Sequence, residues 1–171
     1  NARFAQVMYN SRYQGFTPPS RPTAHAVTGQ GEVNIYWDDA AEYSRDVVTG
    51  YADFEGYKIY KSRDGGNTWG NPDDMIYDTD GIFAGWRPYR QYDLSAEEDS
   101  LHCVYSRGFD CPEESRRGHP INGQDPYFPW FSLGTDTGLD AIKLDEPVVI
   151  NGDTMRSVSY THLTLPTNKA V

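Results

Sequence analysis

Gly31-Glu32-Val33-Asn34-Ile35-Tyr36-Trp37 and, beyond an acidic loop, Gly56-Tyr57-Lys58-Ile59-Tyr60 are the stretches on which the fold turns. In the first, Val33, Ile35 and Trp37 alternate with Asn34 and Tyr36. A period of two places one face of a strand against a core. Upstream, Ala24, Ala26 and Thr28 alternate with His25 and Val27, and Gly29-Gln30-Gly31 supplies a turn that tolerates positive φ. The pair predicts a hairpin that Asp38-Asp39 ends. In the second stretch Tyr57, Ile59 and Lys61 share one face of a third strand, and Lys58, Tyr60 and Ser62 share the other.

Outward from these strands the pattern is weaker. Short strands are expected at Met75–Tyr77, Ile82–Trp86, Tyr89–Leu94 and Leu101–Tyr105, separated by Pro, Gly and charged clusters. Residues at about 80–130 read as an ordered insertion. Pro147–Ile150 reads as a strand, and Asn151-Gly152 as a strong turn. Towards the N-terminus, Phe4, Val7, Met8 and Ser11 have helical spacing, so residues 1–15 read as the end of an upstream helical element. Pro18, Pro19 and Pro22 make 16–22 a Pro-rich linker. The domain itself is expected over 23–157. No repeat of solenoid or propeller period is visible.

The 171 residues suffice for about one domain. The balance of 15 Lys and Arg against 25 Asp and Glu gives a net charge of −10. That balance argues against nucleic-acid partners, which need a basic face. A mean hydropathy of −0.72 and short apolar runs argue against membrane insertion. The 13 Tyr, 7 Phe and 4 Trp give enough area to bury that general disorder is not expected. Metalloprotease, hydrolase-elbow and Walker signatures are absent, and the G-x-G of Thr28–Val33 lies in a hairpin rather than at a helix start. His25, His102 and His119 read as surface residues. No catalytic, metal-ligating or cofactor-binding residue is assigned, and no cofactor is expected. Calcium is the one ion to consider, at Asp78 with Asp80, at Asp136 with Asp140, or at Asp38-Asp39. None of these matches an EF-hand loop, and turn formation and solubility account for them better than a bound ion.

Two motifs resemble known families. Ser62-Arg63-Asp64-Gly65-Gly66-Asn67-Thr68-Trp69 fits S-x-D-x-G-x-T-W and resembles the Asp-box, the hairpin turn repeated in sialidase-like β-propellers. The resemblance implies a structural role for Ser62, Asp64, Gly66 and Trp69, away from any catalytic centre. The order Val33-x-Ile35-x-Trp37, then Gly56-Tyr57-x-Ile59-Tyr60, resembles strands B and C of a fibronectin type III domain from large secreted bacterial multidomain proteins. Gly134–Leu139 and the turn approached by Asp145–Gly152 are similar to further elements of those modules. The resemblance covers roughly residues 20–156. It implies an all-β, fibronectin type III-like (immunoglobulin-like) sandwich with a long insertion, and core roles for Trp37, Tyr57 and Ile59.

Val158–Thr167 reads VSYTHLTLPT, which resembles a translated transposase adaptor from sequencing-library preparation. A β-strand is the alternative, because Val158, Tyr160 and His162 alternate with Ser159 and Thr161. On the adaptor reading residues 158–171 are a non-native tail and the sandwich is truncated at its C-terminal edge. The start at Asn1 likewise suggests a fragment, of metagenomic type.

The implied function is non-catalytic: a structural or adhesion module of a secreted or cell-surface bacterial protein. Its partners would be neighbouring domains of the same polypeptide, a polysaccharide or a surface protein. In an extracellular protein Cys103 and Cys111 would form a small-loop disulfide; in an intracellular one they would be free thiols. The alternative function is a carbohydrate-binding accessory domain of a glycan-processing enzyme, contacting ligand through Tyr127 and Trp130. A third is a fragment of a sialidase-like propeller.

Overall fold

The structure is a computed structural model that describes residues 5–6, 9–10, 17–123 and 134–162. It is built mostly of antiparallel strands. β1 (Ala24–Thr28) and β2 (Glu32–Trp37) form the expected hairpin, with Ala24 opposite Trp37 and Thr28 opposite Val33. β3 is Gly56–Ile59, β4 Met75–Tyr77, β5 Phe83–Trp86 and β6 Arg90–Asp93. β7 (Lys143–Ile150) and β8 (Asp153–His162) follow, joined at Asn151-Gly152. Both turn residues have positive φ, 54° and 96°, which is the backbone that Asn-Gly favours.

One sheet has the order β1-β2-β8-β7, the second pairs β3 with β6, and a small ribbon pairs β4 with β5. The edge strand β7 carries Pro147 where its register with β8 shifts, a position that needs no ladder donor. The core lies between the first two sheets. Trp37, Phe54, Tyr57, Leu94, Leu139 and Ile142 are its buried members, and Ile35, Ile59 and Tyr92 pack against them. Tyr57 stands edge-on to Trp37 at 5.3 Å and to Phe54 at 5.0 Å between ring centres. The Tyr92 hydroxyl meets Ser159 Oγ at 3.0 Å, tying β6 to β8 across the layers.

The insertion departs from expectation. Leu101–Tyr105 is not a strand. Ser95 starts helix α1 (Ala96–Leu101), accepting from the Glu98 amide while Glu98 Oε2 accepts from the Ser95 amide. The chain then turns at His102 into the Cys103 loop, which touches strand geometry only as a bridge to Arg116. A second short helix, α2, spans Pro120–Gly123.

Two boundaries also move. The Pro-rich segment is not a free linker. The Thr17 amide donates to Asp46 Oδ2 at 2.6 Å and the Ser20 amide to Ser44 Oγ at 2.7 Å, so the chain is held from Thr17 onward. At the other end the sheet does not stop at 157. β8 runs to His162, paired on one side with β2 and on the other with β7, and Val158 and Ser159 are buried. The alternation in Val158–His162 is what permits this pairing. Helical backbone is present at Ala5–Gln6 and Tyr9–Asn10, with Gln6 Nε2 donating to Asn10 Oδ1 one turn on.

Candidate functional site

The turn after β3, which leads to β4 in a different sheet, is closed by its own side chains. Ser62 Oγ accepts from the amides of Asp64 and Gly66, at 3.3 and 2.7 Å. Asp64 accepts from the Thr68 amide and hydroxyl at 2.9 and 2.7 Å. These bonds hold the Asp64 carboxyl down at about 2. Gly66, at φ 92°, lies under the Trp69 ring, which a Cβ there would meet at 3.5 Å. Trp69 is 41% exposed and edge-on to Tyr60 at 6.4 Å. Ser62, Asp64, Gly66 and Trp69 thus meet in one turn.

Beside that turn, the β3–β4 and β5–β6 connections enclose a cleft of about 520 Å³, lined among others by Lys61, Arg63, Trp69, Arg87 and Tyr89. An adjoining hollow of about 290 Å³ is walled by Tyr60, Trp69 and Trp86.

Elsewhere, carboxylates act as clasps between distant segments. Asp93, at the end of β6, accepts from the Thr135 amide, from Thr137 through amide (3.2 Å) and hydroxyl, and from Gln91 Nε2 at 3.3 Å. Burial alone would raise its carboxyl, but these donors outweigh it and hold the group down at about 2. Gly134 is required here, because a Cβ would overlap the Asp93 carboxylate. Asp46 does the same for the Thr17–Thr49 region. Bonds from Thr17, Thr49 and Val48 keep it below its ordinary value despite burial.

The deepest clasp was not foreseen from sequence. Arg117 is fully buried. Its Nη2 donates to the carbonyls of Ala52 and Phe54 at 2.7 and 2.9 Å, and its Nη1 to Glu55 at 3.2 Å and to buried Asp99. Cys103 and Cys111 form a disulfide in the loop between Asp99 and Arg117. His102 is not a surface residue. It is 5% exposed, its Nδ1 faces the Cys103 carbonyl at 2.9 Å and its Nε2 faces the Gly108 amide at 3.2 Å. A carbonyl only accepts and an amide only donates, so the ring is neutral with the proton on Nδ1. Burial and the Arg117 charge push its pKa down, in agreement. Glu42 is likewise engaged, by Tyr57 and by Arg107, which also lies over the Tyr43 ring.

Glu55 is pushed up to about 7 by burial and by the neighbouring carboxylates Asp99, Asp53 and Asp93, against the pull of Arg117. A raised Glu55 and a lowered Asp93, both lining a cleft of about 450 Å³, have the split of an acid–base pair. The oxygens of Asp93, however, are taken up by its clasp. The two groups act on stability with opposite sign. Asp93 has a folded pKa below the unfolded value of about 3.9, so its contribution is whole above about pH 5 and lost as pH falls towards 2. Glu55 has a folded pKa above its unfolded value of about 4.3, so a cost appears as pH rises through 4.3 and is complete beyond 7. Taken alone, these two groups make stability to urea highest near pH 4–5, lower by about 2 kcal/mol at pH 2 and about 1–2 kcal/mol at pH 8, while His102 opposes the Glu55 limb, because its lowered pKa weakens the fold as pH drops below about 6.5. Glu55→Gln should flatten only the alkaline limb, and Thr137→Val should weaken the acid one. An alkaline limb left unchanged by Glu55→Gln would contradict the burial of Glu55.

Tyr127 and Trp130 lie outside the described residues. Of the aspartates considered for calcium, Asp38 accepts from the Ala40 amide, Asp78 from the Asp80 and Ile82 amides, and Asp136 from the Ala96 amide. Among the described residues no group of three or more His, Cys, Asp or Glu side chains is placed to hold a metal ion. Nor is any described helix long and apolar enough to cross a membrane. No protein-family model, curated protein or solved structure matches the chain.

Proposed function

We propose that this chain is a non-catalytic structural or adhesion module of a secreted or cell-surface protein, built as a fibronectin type III-like sandwich. The observation that carries the reading is the use made of buried charge. Asp46, Asp93 and the Asp99–Arg117 pair each spend their hydrogen-bonding capacity fastening one segment to another. Such fastening suits a rigid spacer, whereas a catalytic carboxylate needs a lone pair or proton facing substrate. The sheet order β1-β2-β8-β7, with Trp37 and Tyr57 packed between that sheet and the β3–β6 pair, supports the sandwich. The Cys103–Cys111 bond supports an oxidising compartment. A second reading, the carbohydrate-binding accessory domain, is favoured by the exposed rings Trp69 and Tyr89 of the cleft and Tyr60 of the adjoining hollow.

Incubation with a panel of polysaccharides tests the non-catalytic reading. Polymer length and reducing-end content are expected to stay constant. A time-dependent rise in reducing ends that Glu55→Gln abolishes would overturn it and make the Glu55–Asp93 cleft an active site.

A further inference from the structure

The cleft beside the Ser62–Trp69 turn has an unusual charge for this molecule. The chain carries −10 overall, yet Lys61, Arg63 and Arg87 converge on one cleft. Among the described residues the ion pairs involve His25, Arg107, Arg117 and Arg156, and none of these three cations. Asp74, the carboxylate that also lines the cleft, is occupied at Oδ2 by the Asn71 amide at 2.8 Å and side chain at 3.3 Å. The wall is aromatic. Trp69 is 41% exposed, and Tyr60 and Tyr89 are each 40% exposed. Lys61 Nζ lies 5.5 Å from the Tyr89 ring centre, so cation and ring face share one surface. Trp69 borders both this cleft and the apolar hollow with Tyr60 and Trp86, so flat apolar faces continue directly from the cationic ones.

Unpaired cations select an anionic group, and exposed ring faces select a flat, weakly polar surface. A pyranose bearing a carboxylate or sulfate presents both. A nucleic acid also has charge and flat faces, but it needs a long basic track that a strongly acidic chain does not offer. We propose that the cleft formed by Lys61, Arg63, Trp69, Arg87 and Tyr89 is a binding site for an acidic saccharide, with the cations holding the carboxylate or sulfate and Trp69 stacking on the sugar ring. The proposal rests on the adhesion and carbohydrate-binding readings above and names the site and ligand class.

Native affinity electrophoresis of the whole chain in gels containing polygalacturonate, a sulfated galactan or a neutral glucan tests it. Retardation is expected in one or both acidic gels and not in the neutral one, weakening as salt rises from about 50 to 300 mM. A Lys61→Glu Arg87→Glu variant should bind about tenfold more weakly, and Trp69→Ala several-fold more weakly, with thermal melts little changed because Arg87 and Trp69 are exposed and Lys61 is only half-buried. The carboxylated and sulfated gels distinguish the two anions. Inorganic sulfate at the same anion concentration should compete poorly. The proposal is overturned if neither acidic gel retards the chain, or if the charge-reversal variant is retarded as strongly as the parent, which places binding elsewhere. It is also overturned if inorganic sulfate competes as well as the saccharide and Trp69→Ala changes nothing, which reduces the site to a simple anion cleft. Failure of the non-catalytic reading shows separately, as shortening of the polymer.

Discussion

Arg117→Met is expected to destabilise the chain by about 3–5 kcal/mol, enough to unfold much of the population. The cost does not come from lost attraction alone. Arg117 is 0% exposed and Asp99 is 1% exposed, so removing the guanidinium takes the neighbouring cation away from a carboxylate in the interior. The carbonyls of Ala52 and Phe54 lose their donors in the same step. Each orphaned acceptor adds about 1 kcal/mol or more. Arg117→Lys should do little better, because one ammonium cannot span four acceptors that a planar fork reaches from two nitrogens. Adding Asp99→Leu to Arg117→Met should recover part of the loss, since the buried charge goes with it. Urea denaturation of the single and double variants checks this. A single variant within about 1 kcal/mol of the parent would mean that the network does not form.

Trp37 of β2 and Trp69 of the β3–β4 turn should respond to very different extents. Trp37→Ala is expected to cost about 3–5 kcal/mol, because the ring is 3% exposed and its removal opens a cavity against Tyr57 and Phe54. Trp37→Phe keeps the edge-on contact with Tyr57 and should cost about 1–2 kcal/mol. Trp69→Ala should stay within about 0.5 kcal/mol, since Trp69 lies over the Gly66 turn with much of its face in water. Thermal melts of the three variants decide it. Equal losses at Trp37 and Trp69 would contradict the placement of the core between the two sheets.

The cleft beside Trp69 was only half legible. Ser62–Trp69 announces its turn, but the cations Lys61 and Arg87 lie on different elements, and no local pattern relates them. The expected aromatic contact at Tyr127 and Trp130 lies outside the described residues. The exposed rings that the fold assembles are Tyr60, Trp69 and Tyr89. Helix α1 had a usable signal, Ser95 followed three residues later by Glu98, that was read instead as part of a strand-bearing insertion.

What the sequence by itself determined are the features whose physics is local. Strand alternation in β1, β2 and β3, the Asn151-Gly152 turn and the Ser62–Thr68 bonds involve residues a few positions apart, so the pattern is visible before folding. Only the tertiary structure decided the rest. Arg117 reaches carbonyls more than 60 residues away, Asp93 is clasped by threonines more than 40 residues on, and β8 enters the sheet between β2 and β7. His102 is neutral for the same kind of reason, being enclosed by its loop. A buried charge is tolerable only when distant donors and acceptors converge on it, and that convergence is a property of the packed chain rather than of any segment.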